Sequence, residues 1–215
     1  MEKHQLRMKL VSIIDYGCGN ILSIKRAVES LGFKAELTNN YEKILKSSSL
    51  ILPGVGAFGN AINLLEKKNL IEVIKQFALI EKKPILGICL GMQLLLSKSF
   101  EFGEHLGLDL IPGEVVKLSF KDKNKKIPHI GWKKILFKEK NFFSEKGFNS
   151  NEFYFVHSFE VKTKDPNNTI ATCEYYEKKI ASVINYKNIM GCQFHPEKSR
   201  EGGLEFLKKF CSSNY

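Results

Sequence analysis

The chain has 215 residues, 43% hydrophobic and 26% charged, ordinary globular values that allow a full buried core. No apolar run approaches the ~18 residues of a membrane span, and none has the cleavage site of a secretory leader. The net charge of +10 fits nucleic-acid binding, a solvated lysine-rich surface or a basic face for an acidic protein. The lysines form no single stripe and are densest at Lys121-Asp122-Lys123-Asn124-Lys125-Lys126, which argues against nucleic acid.

In chain order, Leu10–Ile14 reads as a strand, Ile21–Leu31 as an amphipathic helix, and Ala35–Thr38 and Leu50–Leu52 as further strands. Ala57–Leu79 reads as helical with an interruption near Asn69, and Ile85–Ile88 as a buried strand leading into a helix over Leu90–Leu96. This alternation predicts a parallel, doubly wound sheet. Ligands bind past the carboxyl ends of such strands. Gly17-Cys18-Gly19, the Pro53–Gly56 loop and Cys89 all fall at those ends. The second half reads as hairpin-rich strands over Val115–Phe120, Lys133–Phe137, Phe153–Val156, Ile170–Tyr175 and Ile180–Tyr186. A strand-like run over Ile189–Phe194 and a closing helix over Glu201–Phe210 follow. With no linker and no repeat, one domain is expected. Gly17-x-Gly19 is half of a dinucleotide fingerprint, but Leu22 stands where glycine is required, so NAD binding is rejected.

Gly87-Ile88-Cys89-Leu90-Gly91 has the shape of a nucleophile elbow with cysteine in place of serine. The glycines permit a tight strand-to-helix turn, and the helix N-terminus favours a thiolate. The Leu90 N–H would face a developing oxyanion. Such a cysteine taken alone is as often a buried core residue. Gln193-Phe194-His195-Pro196-Glu197 supplies a histidine and, two residues on, a carboxylate. On an extended segment both face one side, so Glu197 can fix the imidazole tautomer. Nucleophile, base and orienting carboxylate together make an acyl-transfer set. The five cysteines at 18, 89, 173, 192 and 211 are odd in number and lack Cys-x-x-Cys spacing. No metal site and no cofactor are expected, Cys18 and Cys192 read as structural, and a reducing cytoplasm is the simplest compartment.

These segments resemble the class I (triad) glutamine amidotransferases, and among them the glutaminase subunits of imidazole glycerol phosphate synthase. The resemblance is carried by Asp15–Asn20, Pro53–Gly59, Gly87–Gln93, Pro128–Trp132, Tyr154–Ser158 and Phe194–Ser199. It implies a flavodoxin-like three-layer α/β fold, with a mostly parallel central sheet and additional antiparallel strands. It implies a single domain over residues 8–215, with 1–7 an extension or a misassigned start before Met8. It implies that Cys89 attacks the amide of L-glutamine, His195 moves the proton to ammonia and Glu197 orients His195. Leu90, Val55 and Gly56 would form the oxyanion hole, on a glycine loop that flips when the partner is loaded. Gly54, Gln93, Ser158 and Phe159 would bind glutamine. Asn20, His129, Trp132, His157 and Lys198 would face a cyclase subunit, a (β/α)₈ barrel, in a heterodimer. Core positions remain open for His129, His157 and Trp132. Lys133 departs from the asparagine usual after Gly-Trp.

Ammonia freed in water at neutral pH becomes ammonium and is no nucleophile, so it must pass dry to an acceptor that a chain of this length does not contain. A paralogous subunit supplying a surface-polysaccharide sugar amidotransferase is the alternative. A non-enzymatic module would be expected to lose part of the triad, and Gln93 disfavours a cysteine protease.

Overall fold

The computed structural model describes residues 9–138 and 152–213. The expectations about Met1–Met8 lie outside the described residues.

Five parallel strands form one half of the main sheet. They are β1 (Leu10–Ile14), β2 (Lys34–Thr38), β3 (Ser49–Leu52), β4 (Ile85–Ile88) and, from far along the chain, β14 (Ile189–Cys192). The sheet continues antiparallel through β13 (Lys178–Tyr186), β12 (Thr169–Tyr175) and β9 (Ile135–Phe137). The full order is β2-β1-β3-β4-β14-β13-β12-β9. A smaller sheet joins β11 (Phe159–Thr163), β7 (Ile111–Lys117), β5 (Leu96–Ser99) and β6 (His105–Leu106). A separate ribbon pairs β8 (His129–Lys133) with β10 (Phe153–His157).

Side chains alternate across the parallel strands, and so the core divides in two. Val11, Ile13, Ile51, Leu86 and Ile88 pack with α1 (Ile21–Ser30) and α6 (Arg200–Ser212). Ile14, Leu50, Leu52 and Ile85 pack with α3 (Phe58–Lys67), α4 (Ile71–Lys75) and α5 (Leu90–Leu94) on the opposite face. Each such fully buried aliphatic side chain contributes ~1.5–3 kcal/mol relative to exposure. The result is the helix–sheet–helix layering expected, with antiparallel strands added at one edge.

Asn69, at φ 54°, ends the α3 run in a left-handed turn, where the interruption was expected. The leucine run after Cys89 differs from expectation. Helix α5 stops at Leu94, because Leu108 N–H takes the Leu94 carbonyl and the Leu110 and Ile111 N–H groups take that of Leu95. Leu96 can then leave as strand β5. Helix α2 (Tyr41–Lys46) and strands β5, β6, β8 and β11 were not foreseen. All are short, and the strands are defined by distant pairing rather than by their own periodicity. Gly91 fixes how α5 sits: a Cβ there would lie 1.9 Å from the Leu52 carbonyl oxygen, so the elbow rests directly on the end of β3.

Candidate active site

Cys89 lies between the end of β4 and the start of α5, at φ 54° and ψ −109°. A non-glycine residue there stores roughly 1–3 kcal/mol of strain, and that strain is characteristic of functional turns. Its N–H donates to the Cys192 carbonyl at 2.8 Å, tying the nucleophile's backbone to the end of β14. Three residues later β14 delivers His195, only 3% exposed. His195 and Glu197 were expected on an extended segment. Instead, Pro196–Lys198 forms a 3₁₀ turn that brings the Glu197 carboxylate to 2.9 Å from His195 Nδ1. Pro196 favours this turn by fixing φ at its first position. The carboxylate makes Nδ1 the donor, which leaves Nε2 for the sulfur.

Burial alone would lower the His195 pKa. Hydrogen bonds to Cys89 and Glu197, with their negative charge, outweigh it and raise the value to about 9. His195 is therefore an imidazolium at neutral pH, held between the Cys89 sulfur and a buried carboxylate. The Gln193 amide lies 3.8 Å from Cys89 Sγ and also accepts from Gln93 Nε2 at 3.1 Å.

A cavity of about 300 Å³ opens over the thiol. Cys89, Leu90 and His195 line it, together with Val55 and Gly56 and with Gln93, Ser158 and Phe159. Gly54, expected to touch substrate, is not among the lining residues. It is closely packed, and a Cβ there would meet Leu90 Cβ and the Tyr16 hydroxyl at 2.9 Å. Glu101 is the one carboxylate that lines the cavity among the described residues. It is 9% exposed, and its Oε2 accepts the Phe58 N–H at 2.6 Å. Sequence reasoning missed Glu101, because β5 and the turn after it carry it to the pocket.

His129 and His157 were assigned to a partner-facing surface. The structure corrects this for both side chains: His129 is 0% and His157 6% exposed. His129 is stacked against Phe155 and Tyr175, and His157 lines the cavity. The Phe159 carbonyl lies 2.8 Å from His157 Nδ1, so that nitrogen donates. In the neutral ring Nε2 must then accept, and the atom 2.9 Å away, His129 Nδ1, must donate. His129 Nε2 is left as a buried lone pair with no partner.

Burial holds both rings neutral, with pKa about 3 for His129 and about 4 for His157. In the unfolded chain both would take protons near pH 6.5. The unfolded state thus binds more protons below that pH, and stability falls as pH falls from about 6.5 toward 4. Urea midpoints at pH 7 and pH 5 should differ by the equivalent of a few kcal/mol, at about 1.4 kcal/mol per unit of pKa difference. His129→Phe should flatten that slope. Equal midpoints at the two pH values would refute the assignment.

Trp132, Lys198 and Asn20 reach the surface to differing degrees. Lys198 is exposed with its ammonium 5.9 Å over Tyr154, and the Arg200 guanidinium lies 4.6 Å over the half-buried Trp132. Ile130, 56% exposed, extends this cationic and aromatic patch along β8. Asn20 is half-buried at the start of α1.

A cysteine on a strained elbow, a histidine oriented by a buried carboxylate and a cavity that opens over the thiol define a thiol acyl-transfer enzyme on a doubly wound α/β scaffold. The chain belongs to the class-I glutamine amidotransferase family, whose model matches residues 12–213. It is 44% identical over 212 residues to imidazole glycerol phosphate synthase subunit HisH 1 of Legionella pneumophila (strain Paris), covering 94% of this chain and 99% of the relative. It is 45% identical to the HisH subunit of Aquifex aeolicus, covering 92% and 94%. With that of Caldanaerobacter subterraneus the identity is 46%, covering 94% and 97%. Among solved structures, a glutamine amidotransferase superposes with TM-score 0.69 at 14% identity, covering 94% of this chain and 99% of that one. PurLQS from Thermotoga maritima superposes with TM-score 0.69 at 18% identity, covering 94% and 98%. At those identities they speak for the fold alone.

Proposed function

We propose that this chain, as a single amidotransferase domain, is the glutaminase subunit of imidazole glycerol phosphate synthase. It hydrolyses glutamine and passes ammonia to a cyclase subunit in histidine biosynthesis. The observation that carries this is the buried Cys89–His195–Glu197 constellation beneath a cavity of about 300 Å³, in a chain 44–46% identical to such subunits.

Cys89 sulfur attacks the side-chain amide carbon of glutamine. Negative charge gathers on the carbonyl oxygen, where the Leu90 N–H and a donor from Val55 or Gly56 receive it. Collapse breaks the C–N bond, and His195 gives its proton to the departing ammonia. A thioester remains. Water, deprotonated by His195, releases glutamate and restores the thiol. Gln93, Ser158 and Phe159 hold the substrate's main-chain end. The Glu101 carboxylate offers the charge complement for the α-ammonium group.

The acceptor is a separate cyclase chain with a (β/α)₈ barrel, bound as a heterodimer. The Trp132–Tyr154–Lys198–Arg200 patch, with Asn20, is the surface that would meet it, and its positive charge favours an acidic rim. The setting is cytoplasmic. No helix among the described residues is long and apolar enough to cross a membrane, and no group of side chains there has the make-up of a metal site. The test is glutamate release by the purified chain, alone and with a histidine-pathway cyclase carrying its ligand. Strong stimulation by that cyclase is expected. Activity that responds only to a sugar-modifying synthetase would move the acceptor to surface-polysaccharide synthesis.

A further inference from the structure

The Pro53–Gly56 loop has two halves with opposite surroundings. Pro53 and Gly54 are buried, whereas Val55 is 44% exposed and Gly56 is exposed at φ +96°. What holds the buried half is Tyr16, the last buried residue after β1. Tyr16 is 0% exposed, and its hydroxyl donates to the Pro53 carbonyl at 2.8 Å. The same hydroxyl closes the space over Gly54, where a Cβ would lie 2.9 Å away. From the same segment, Gly19 is packed so closely that a Cβ there would stand 3.2 Å from Pro53 Cβ.

We propose that Tyr16 is a positioning residue for glutamine hydrolysis: its hydroxyl pins the peptide at the root of the oxyanion loop. The inference rests on the reading that this loop supplies a donor to the oxyanion. The Pro53 carbonyl and the Gly54 N–H belong to one planar peptide. Holding that carbonyl against Tyr16 fixes the plane and aims the Gly54 N–H away from the phenol. Rotation is then confined to the two following peptides, which have the exposure and the glycine needed to turn. The phenol thus sets the pivot without touching substrate. It stays a donor throughout the working pH range, because burial, then the nearby Cys18 and Cys89, push its pKa upward. A phenylalanine would fill the same apolar space, and so packing alone does not call for the hydroxyl. The segment that carries Tyr16 also leads to Asn20, on the edge assigned to the partner, which gives partner binding a short mechanical route to the loop.

The test is Tyr16→Phe in the full chain, assayed with the cyclase and its ligand beside the wild type. With the root peptide free to rotate, kcat for glutamate release should fall by about tenfold, less than the ~10²–10³ lost when an oxyanion donor is deleted outright. KM for glutamine should stay within about twofold, because the Ser158–Phe159 side of the pocket is untouched. Alkylation of Cys89 by iodoacetamide, followed on the Cys89 peptide by mass spectrometry, should keep its rate, since that reaction forms no tetrahedral oxyanion. An unchanged kcat would overturn the proposal. So would a parallel loss of kcat, alkylation rate and melting temperature, which would make Tyr16 a core residue only. A wild-type complex that hydrolyses no glutamine would overturn the underlying reading and the anchor with it, so the two failures are told apart by which protein fails.

Discussion

Cys89→Ala is expected to abolish glutamate release from glutamine, in the presence or absence of the cyclase, while leaving the fold in place. No other sulfur can substitute. Cys192, its neighbour across the strand ends, is fully buried, and its thiol is held well above its ordinary pKa by burial, with Glu197 and Cys89 adding to the shift. Cys18, the other cysteine near this edge, does not line the cavity. Loss of a triad nucleophile costs on the order of 10⁶ in kcat where it has been measured, with only oxyanion and binding effects left. Relief of the strained φ of 54° is not expected, because the backbone bond from the residue 89 N–H to the Cys192 carbonyl at 2.8 Å survives the substitution. The measurement is steady-state glutamate production with a limit of detection ~10⁴ below wild type, accompanied by a melting curve. Residual activity within about tenfold of wild type would remove Cys89 from the mechanism.

Glu197→Gln has the second largest expected effect. The Glu197 side chain is 0% exposed, and Oε1 is the partner of His195 Nδ1 at 2.9 Å. A glutamine in its place removes the charge and can turn its amide toward Nδ1. That turn would force the neutral ring left after ammonia departs into the tautomer whose Nε2 carries the proton and cannot take one from the attacking water. The equivalent substitution in serine triads lowers kcat by about 10⁴, and ~10³–10⁴ is expected here. The pH dependence carries a second signature. Burial lowers the His195 pKa, and only its interactions with Cys89 and Glu197 bring it up to about 9. Removing one of them lets burial act less opposed, so the alkaline limb of the pH–kcat/KM profile should move to lower pH. A profile unchanged in position, with kcat reduced, would mean that Glu197 holds the turn but does not tune the base.

The triad was legible because acyl transfer needs particular residue types in short, stereotyped settings. Gly87-x-Cys89-x-Gly91 encodes its own turn, and His195 and Glu197 lie within one turn of each other. The parallel half of the sheet was legible for a similar reason, since β1 to β4 and helices α1 and α3 carry their own periodicity, whereas the six-residue α2 is too short to show one. In the second half β10, β12, β13 and α6 fall where their patterns put them, but β8 and β11 do not show in the sequence: they are short, and what defines them is pairing with strands many residues away, as in Gly131 opposite Phe155. Glu101 escaped notice because its place in the pocket depends on β5 leaving α5, and β5 leaves only because distant N–H groups take the Leu94 and Leu95 carbonyls. His129 was placed on the partner-facing surface by the resemblance of its motif, with a core position left open. Strand alternation puts Ile130 outside and His129 inside.

The bond between the Cys89 N–H and the Cys192 carbonyl has a consequence for how such an enzyme can be governed. Nucleophile and base ride on adjacent strands locked by hydrogen bonds, so the distance between them is a property of the sheet and resists adjustment. The oxyanion loop hangs from a different strand, β3. On the proposed mechanism, reactivity and its throttle are therefore built on separate parts of the scaffold, and the throttle can be altered without moving the thiol relative to the imidazole.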